Sequence, residues 1–172
     1  MENALRKRNR NNIQIMPKIN FELVEVVLFR RKDEPEFLVL QRSEKEDIYP
    51  GLWQIVSGGI EPGEKAYEAA LREIREETGV KPLGLYNTPL TNTFYFFTND
   101  SVNVSPVFAA EVDPRDIIEL SDEHKDFRWL VKDEAISLLV WPGQKHAINI
   151  IDQYIVRRNP SEEFMKIPLD HM

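Results

Sequence analysis

The sequence predicts an α/β domain. Segments rich in Val, Leu and Phe at strand length are mixed with three stretches of helical periodicity. The 172 residues, 42% of them hydrophobic, suffice for one core and are too few for two ordinary domains. No apolar run approaches the ~20 residues that span a bilayer.

Phe21 to Arg30 and Phe37 to Arg42 read as two strands joined by the charged turn Arg31 to Pro35. Ser43 to Gly51 is a polar loop. Leu52 to Ser57 reads as a short strand ended by Gly58 and Gly59, and Glu61-Pro62-Gly63 as a turn. A helix is expected from about Glu64 to Thr78, stopped by Gly79, where glycine tolerates the positive φ of a C-cap. Leu83 to Leu90, Thr93 to Phe97 and Val102 to Val112 read as three strands, with Asp113-Pro114 as a break. Phe127 to Val131 is a strand, Lys132 to Val140 a short helix, Trp141-Pro142-Gly143 a turn, and His146 to Arg157 a helix. The domain is expected over 19–158, between a basic N-terminal tail (1–18, with Arg6, Lys7, Arg8 and Arg10) and a C-terminal tail (159–172).

The net charge of -7 makes the chain a poor candidate for non-specific binding to nucleic acid. The basic N-terminus is not followed by an apolar run and does not read as a secretory signal. The chain has no cysteine, which excludes disulfides and thiolate metal sites and fits a cytoplasmic location.

Within the 64–78 helix, Tyr67, Ala70, Leu71, Ile74 and Thr78 share the side expected to face the core. Glu73, Glu76 and Glu77 share another, at i, i+3 and i+4. Three carboxylates so close repel one another. They read either as a solvated acidic face paired with Arg72 and Arg75, or as ligands of a hard divalent cation that also meets phosphate oxygens.

The stretch from Gly58 to Val80 resembles the Nudix box. Gly58, Glu64, Arg72, Glu73, Ile74, Glu76, Glu77, Gly79 and Val80 all stand at its spacing. At average residue frequencies such a match at one start point has a chance on the order of 10⁻⁹. The resemblance implies a Nudix-type α/β/α sandwich with a mixed central sheet. It also implies an Mg²⁺-dependent hydrolase, with Mn²⁺ as a substitute, that cleaves a diphosphate linkage.

By the resemblance, the metal is held by Glu73, Glu76, Glu77 and the carbonyl of Gly58. Arg72 orients a carboxylate, Glu64 ties the loop to the helix, and Gly79 is structural. The base that activates water is Glu73 or an acid of a later loop. Glu123 is the candidate there and Asp122 the fallback, unless both simply cap a turn. His124 stands beside them and could titrate near neutrality, though a loop histidine more often has a structural or solvated role.

Arg42 and Trp53 are substrate candidates, with Gln41 beside the former; Arg42 reads equally as half of a surface salt bridge, and core packing is the better reading for any single aromatic. At least half of the aromatic run Phe94, Tyr95, Phe96 and Phe97 is expected in the core, and Trp141 is a weaker candidate for a pocket wall. Leu40-Gln41-Arg42, Trp53-Gln54, Glu123-His124 and Trp129-Leu130 resemble the dihydroneopterin-triphosphate or dATP pyrophosphatases. Gly59-Ile60 is shared with dinucleoside polyphosphate hydrolases, and Tyr49-Pro50-Gly51-Leu52 is similar to enzymes related to isopentenyl-diphosphate isomerase. ADP-ribose and other nucleoside-diphosphate substrates, and a non-catalytic nucleotide sensor, stay open. The expected partner is a small nucleotide or diphosphate; homodimerisation is left open.

Overall fold

The computed structural model describes residues 16–157 and 160–169. Arg6, Lys7, Arg8 and Arg10 of the N-terminal tail lie outside them. A mixed sheet forms the middle layer. Its central strand β2 (Leu23–Arg30) lies parallel to β7 (Ser101–Glu111) and antiparallel to β3 (Glu36–Arg42). Beyond β7 come the long strand β6 (Gly84–Phe96) and, at the edge, β9 (Lys166–Ile167). β1 (Lys18–Asn20) runs parallel to β7. β8 (His124–Val131) covers the other side of β3.

Helices cover both faces. Val24, Val26 and Leu28 point to α1 (Ala66–Thr78) and pack with its Ala69, Ala70 and Ile74. Val27 and Phe29 point the other way, to α2 (Lys132–Leu138) and α3 (Pro142–Ile151), through Ala135, Ala147, Ile148 and Ile151. This double burial explains why β2 reads as an almost continuous apolar run rather than an alternating one.

β2 and β3 pair only at Phe29–Arg30 with Glu36–Phe37, next to their turn. Further along they separate. The first half of β2 pairs with β5 (Val56–Gly59), and the end of β3 pairs with β4 (Trp53–Gln54). The expected single strand Leu52 to Ser57 is therefore two short strands in a fork. Gly58 and Gly59 continue β5 instead of ending it.

Other boundaries also differ from the sequence expectation. The 83–90 and 93–97 segments form one strand whose register shifts between Asn87 and Thr91. Pro89 lies in that gap and has no N–H to give to the ladder. Trp141-Pro142-Gly143 is not a free turn. Trp141 is the N-cap of α3 and Pro142 its first residue, where a missing N–H costs nothing. After Ile151 the helix widens into a π-helical turn, Asp152–Val156. In the segment read as a C-terminal tail, Glu162–Met165 forms the short helix α4, and β9 pairs with β6 at Leu85 and Tyr86. Arg31 fastens this region by donating to Glu111 (3.0 Å), Glu162 (2.7 Å) and the carbonyls of Val156 (2.7 Å) and Ile155 (3.2 Å). Among the described residues no helix is long and apolar enough to cross a membrane.

Candidate active site

The α1 helix begins after Lys65, whose backbone N–H donates to Glu68, and ends at Gly79 with φ 73°. Between these caps the core-facing residues fall largely as expected. Ala70, Ile74 and Thr78 are buried, while Tyr67 and Leu71 pack at the margin. The three glutamates, however, do not share one environment. The Glu76 side chain is 57% exposed and that of Glu73 12%, while Glu77 is buried at 3%. Helical spacing placed them on one side; the fork between β5 and β3 takes in Glu77.

Arg72 is the hub of the cluster. Its Nε and Nη2 donate to the two carboxylate oxygens of Glu64, each at 3.0 Å. Its Nη1 donates to Glu73 at 2.7 Å and Glu76 at 3.0 Å, and Nη2 also reaches the carbonyl of Gly59 at 2.6 Å. These partners raise the guanidinium pKa and lower that of Glu64, whose carboxylate also accepts the Glu61 N–H at 2.9 Å. One cation thus fastens the loop after β5 to two turns of α1.

Gly58 meets Glu73 directly. A Cβ at Gly58 would lie 1.9 Å from the Glu73 carboxyl carbon, so only a bare Cα admits that carboxylate against the strand. Burial raises the Glu73 pKa; Arg72 opposes this, and Glu76 and Glu123 add to it.

Glu77 is the least satisfied acid. One oxygen accepts the Ser57 N–H at 3.3 Å. The other is buried and has no donor. Burial pushes its pKa well up, and the charges of Glu73 and Glu123 push it further. His124 Nε2 lies 3.8 Å from it, too far for a hydrogen bond, and 3.4 Å from Gln54 Nε2. Burial, helped by Arg42, holds the His124 pKa down to about 4. Of the roles open to this histidine, the structural one fits: it is buried and neutral at the root of β8.

The chemistry of the donors suits a hard cation. Glu73, Glu76, Glu77 and the Gly58 carbonyl offer only oxygen, and Glu77 holds a buried lone pair without a proton donor. Among the described residues no three Asp, Glu or His side chains close on one point. Arg72 bonds one oxygen each of Glu73 and Glu76, Oε1 and Oε2 respectively.

Glu123 is exposed on the loop before β8. Its carbonyl accepts the Ser43 N–H at 2.7 Å, and its charge is felt by both Glu73 and Glu77. Asp122 is exposed beside it. Arg42 donates to Glu46 at 2.6 Å and to the Ile48 carbonyl at 2.9 Å, and so holds the 43–51 loop. Gln41 holds the far end of that loop through Gly51 (2.9 Å). Trp53 is partly buried, with the Arg128 guanidinium 4.9 Å from its ring centroid. The expectation of a half-buried aromatic run is corrected: Phe94 (43%), Tyr95 (57%) and Phe97 (81%) are exposed, because the β6–β7 hairpin projects beyond the helices. Ser57 and Gln54, both against the buried acid or its histidine, escaped sequence reading. Their position just before Gly58 was the available signal.

With this geometry, the NUDIX domain profile matches residues 22–154. The chain belongs to the NUDIX family. It is a Nudix hydrolase, similar over 112 residues (26% identity, 61% of this chain and 79% of the relative) to the nucleoside triphosphatase NudI of Escherichia coli. A NUDIX hydrolase structure from Listeria monocytogenes shares 26% identity at a TM-score of 0.69, covering 87% of this chain and 99% of that one. The Escherichia coli dihydroneopterin triphosphate pyrophosphohydrolase shares the fold at a TM-score of 0.65 and 24% identity, covering 81% and 99%.

Proposed function

We propose that this Nudix hydrolase converts a nucleoside triphosphate, or a related pterin triphosphate, to the monophosphate and pyrophosphate with Mg²⁺, for which Mn²⁺ can substitute. The observation that carries the reading is Glu77: a buried carboxylate with one oxygen lacking any donor, set beside Glu73 and Gly58. NudI, named as a nucleoside triphosphatase, supports the substrate class.

Glu73, Glu76, Glu77 and the Gly58 carbonyl would hold the ion. The ion supplies the positive charge that neutralises the diphosphate oxygens and eases their approach to the glutamates. Arg72 restrains Glu73 and Glu76 by bonding one oxygen of each. Glu73, raised in pKa by burial, accepts the proton of the attacking water; Glu123, in electrostatic contact with it, is the second acid able to do so. Water attacks phosphorus in line, and the anhydride P–O bond breaks with its electrons leaving on pyrophosphate. Neutral His124 adds no positive charge beside Glu77, which leaves that carboxylate free for a cation.

Glu77→Gln tests the reading. It keeps shape and the Ser57 hydrogen bond but removes the charge. Turnover of a triphosphate panel with Mg²⁺ should fall by about 10³-fold, the scale of several kcal/mol of lost charge stabilisation. In chelator the variant should melt higher than wild type, since it removes a buried charge that Glu73 and Glu123 repel. Near-normal turnover would remove Glu77 from the metal site.

A further inference from the structure

The β6–β7 ribbon has one paired edge and one open edge. Over 91–96, β6 is bonded to β7, in register from Thr91 with Pro106 to Phe96 with Ser101. On its other side β9 reaches only Leu85 and Tyr86, so among the described residues no strand lies along 91–96. Pro89 and the register shift come before Thr91, so neither blunts this stretch. A row of main-chain N–H and C=O groups faces outward there and can take a further strand. The ribbon is braced from its far side and at its tip. β1 pairs with β7 from Ser101 to Asn103, and Asn20 donates to the Asn103 side chain at 3.4 Å. Ser101 Oγ donates to Asn99 Oδ1 at 2.6 Å, and the Tyr95 hydroxyl donates to Asp100 at 2.9 Å. The open strand is thus already extended, and pairing with it orders little new chain.

This edge is also uncharged. Charged residues are 30% of the chain, yet none falls between Lys81 and Asp100. Edge strands that stay single commonly carry a lysine or another charge that repels a second strand. Here the edge carries the exposed Phe94 and Tyr95, with Phe97 exposed at the tip. Phe94 and Tyr95 are neighbours in the strand and point to opposite faces, so apolar surface flanks the edge on both sides. At about 150–250 Å² for a whole aromatic side chain, the exposed parts of the three rings come to about 270–450 Å² per copy. With the strand's main chain and the exposed Thr91 and Thr93, two copies together reach the ~1,000 Å² of a specific interface.

We propose that this edge is a homodimer interface: the 91–96 strands of two copies pair antiparallel about a two-fold axis and join their sheets into one. A second copy is the occupant that fits. An antiparallel pair of identical strands is self-complementary, and a two-fold axis closes it at two chains. The axis keeps faces together, so the Phe94 rings of both copies lie on one face and the Tyr95 rings on the other, where cross-strand aromatic pairs stabilise. The net charge of -7 opposes self-association across most of the surface; along 91–96 no like charges meet. A charged peptide would find no counter-charge on this strand. None of these residues belongs to the acid cluster, so the inference stands apart from the proposed reaction.

The test is sedimentation velocity of the full chain, joined to amide hydrogen exchange. Wild type at about 10 µM, above the Kd of a modest specific interface, should sediment at twice the 20.1 kDa chain mass. Thr93→Lys and Phe94→Lys each set two like charges across the axis. Both side chains are exposed, so the monomer fold is kept, and unchanged exchange in the core strand β2 checks this. Each should raise the dimer Kd about tenfold or more and sediment as a monomer. Ile117→Lys, at an 81% exposed apolar residue outside the ribbon, should remain dimeric. In wild type the outward-facing amides of 91–96, every second residue, should exchange about tenfold or more slowly than in Thr93→Lys. A monomeric wild type at this concentration overturns the proposal. So does a dimer that survives both lysines, or one in which exchange over 91–96 is not slowed.

Discussion

Replacing Gly58 by alanine separates the working geometry from the stability of the fold. Gly58 is not among the glycines with positive φ, so the backbone accepts alanine. The added Cβ would lie 1.9 Å from Glu73 Cδ and 2.1 and 2.2 Å from its two oxygens. Ordinary contact requires the carboxylate to retreat by about 1.5 Å. Glu73 ends a flexible side chain, so the retreat costs little, about 1 kcal/mol, or ~2–4 °C in melting temperature for a chain of this size. Its 2.7 Å bond to Arg72 would not survive in place. A displacement of ~1 Å in a positioned catalytic group costs on the order of 10²-fold in rate. The expected result is a folded variant with kcat/KM down by about that factor. Gly59→Ala, whose Cβ meets nothing nearer than 3.9 Å, should lose no more than about threefold. Activity of Gly58→Ala within threefold of wild type would refute the argument that Glu73 works against the bare Cα of Gly58. Global unfolding would refute the argument that its side chain can yield.

Arg72→Lys keeps the charge but loses the planar fork that serves Glu64, Glu73, Glu76 and Gly59 together; kcat should fall about 10–100-fold with a smaller change in melting temperature, and an unchanged kcat counts against the hub. His124 should stay neutral in an NMR titration down to about pH 4. Because its folded pKa is depressed, its contribution to stability is complete above the unfolded value near 6.5 and is lost as pH falls toward 4; a His124 transition near 6.5 would refute its burial. Arg31→Ala removes four hydrogen bonds and leaves Glu111 and Glu162 to share the Tyr86 hydroxyl; it should cost about 2–4 kcal/mol in urea melts. The rate per folded molecule should hold, and a changed KM would mean that the α4–β9 segment reaches the site.

The family and the residues of the candidate site are legible along the chain. Carboxylates at i, i+3 and i+4, an arginine one residue before the first of them, and glycines at fixed offsets form a local pattern, and a helix turns local spacing into geometry without help from the rest of the chain. The sequence also carried the fold class, because strand-length apolar runs and helical periodicities report which faces are buried. Only the tertiary structure decided how three similar glutamates differ. Glu77 becomes a buried acid because β2 and β3 separate and admit β5, an event of strand pairing between residues distant in sequence. The same holds for His124, neutral because a fork closes over it, and for the β6–β7 tip, whose aromatics read as core but outrun the helices that would cover them. Tyr49 and Trp141 carry no spacing signal that would join them. Ninety-one residues of chain lie between Tyr49 and Trp141, and only the packing of a loop against a helix start brings their rings to a centroid distance of 5.0 Å. Burial and charge environment are sums over neighbours in space, and a single sequence orders neighbours only along the chain.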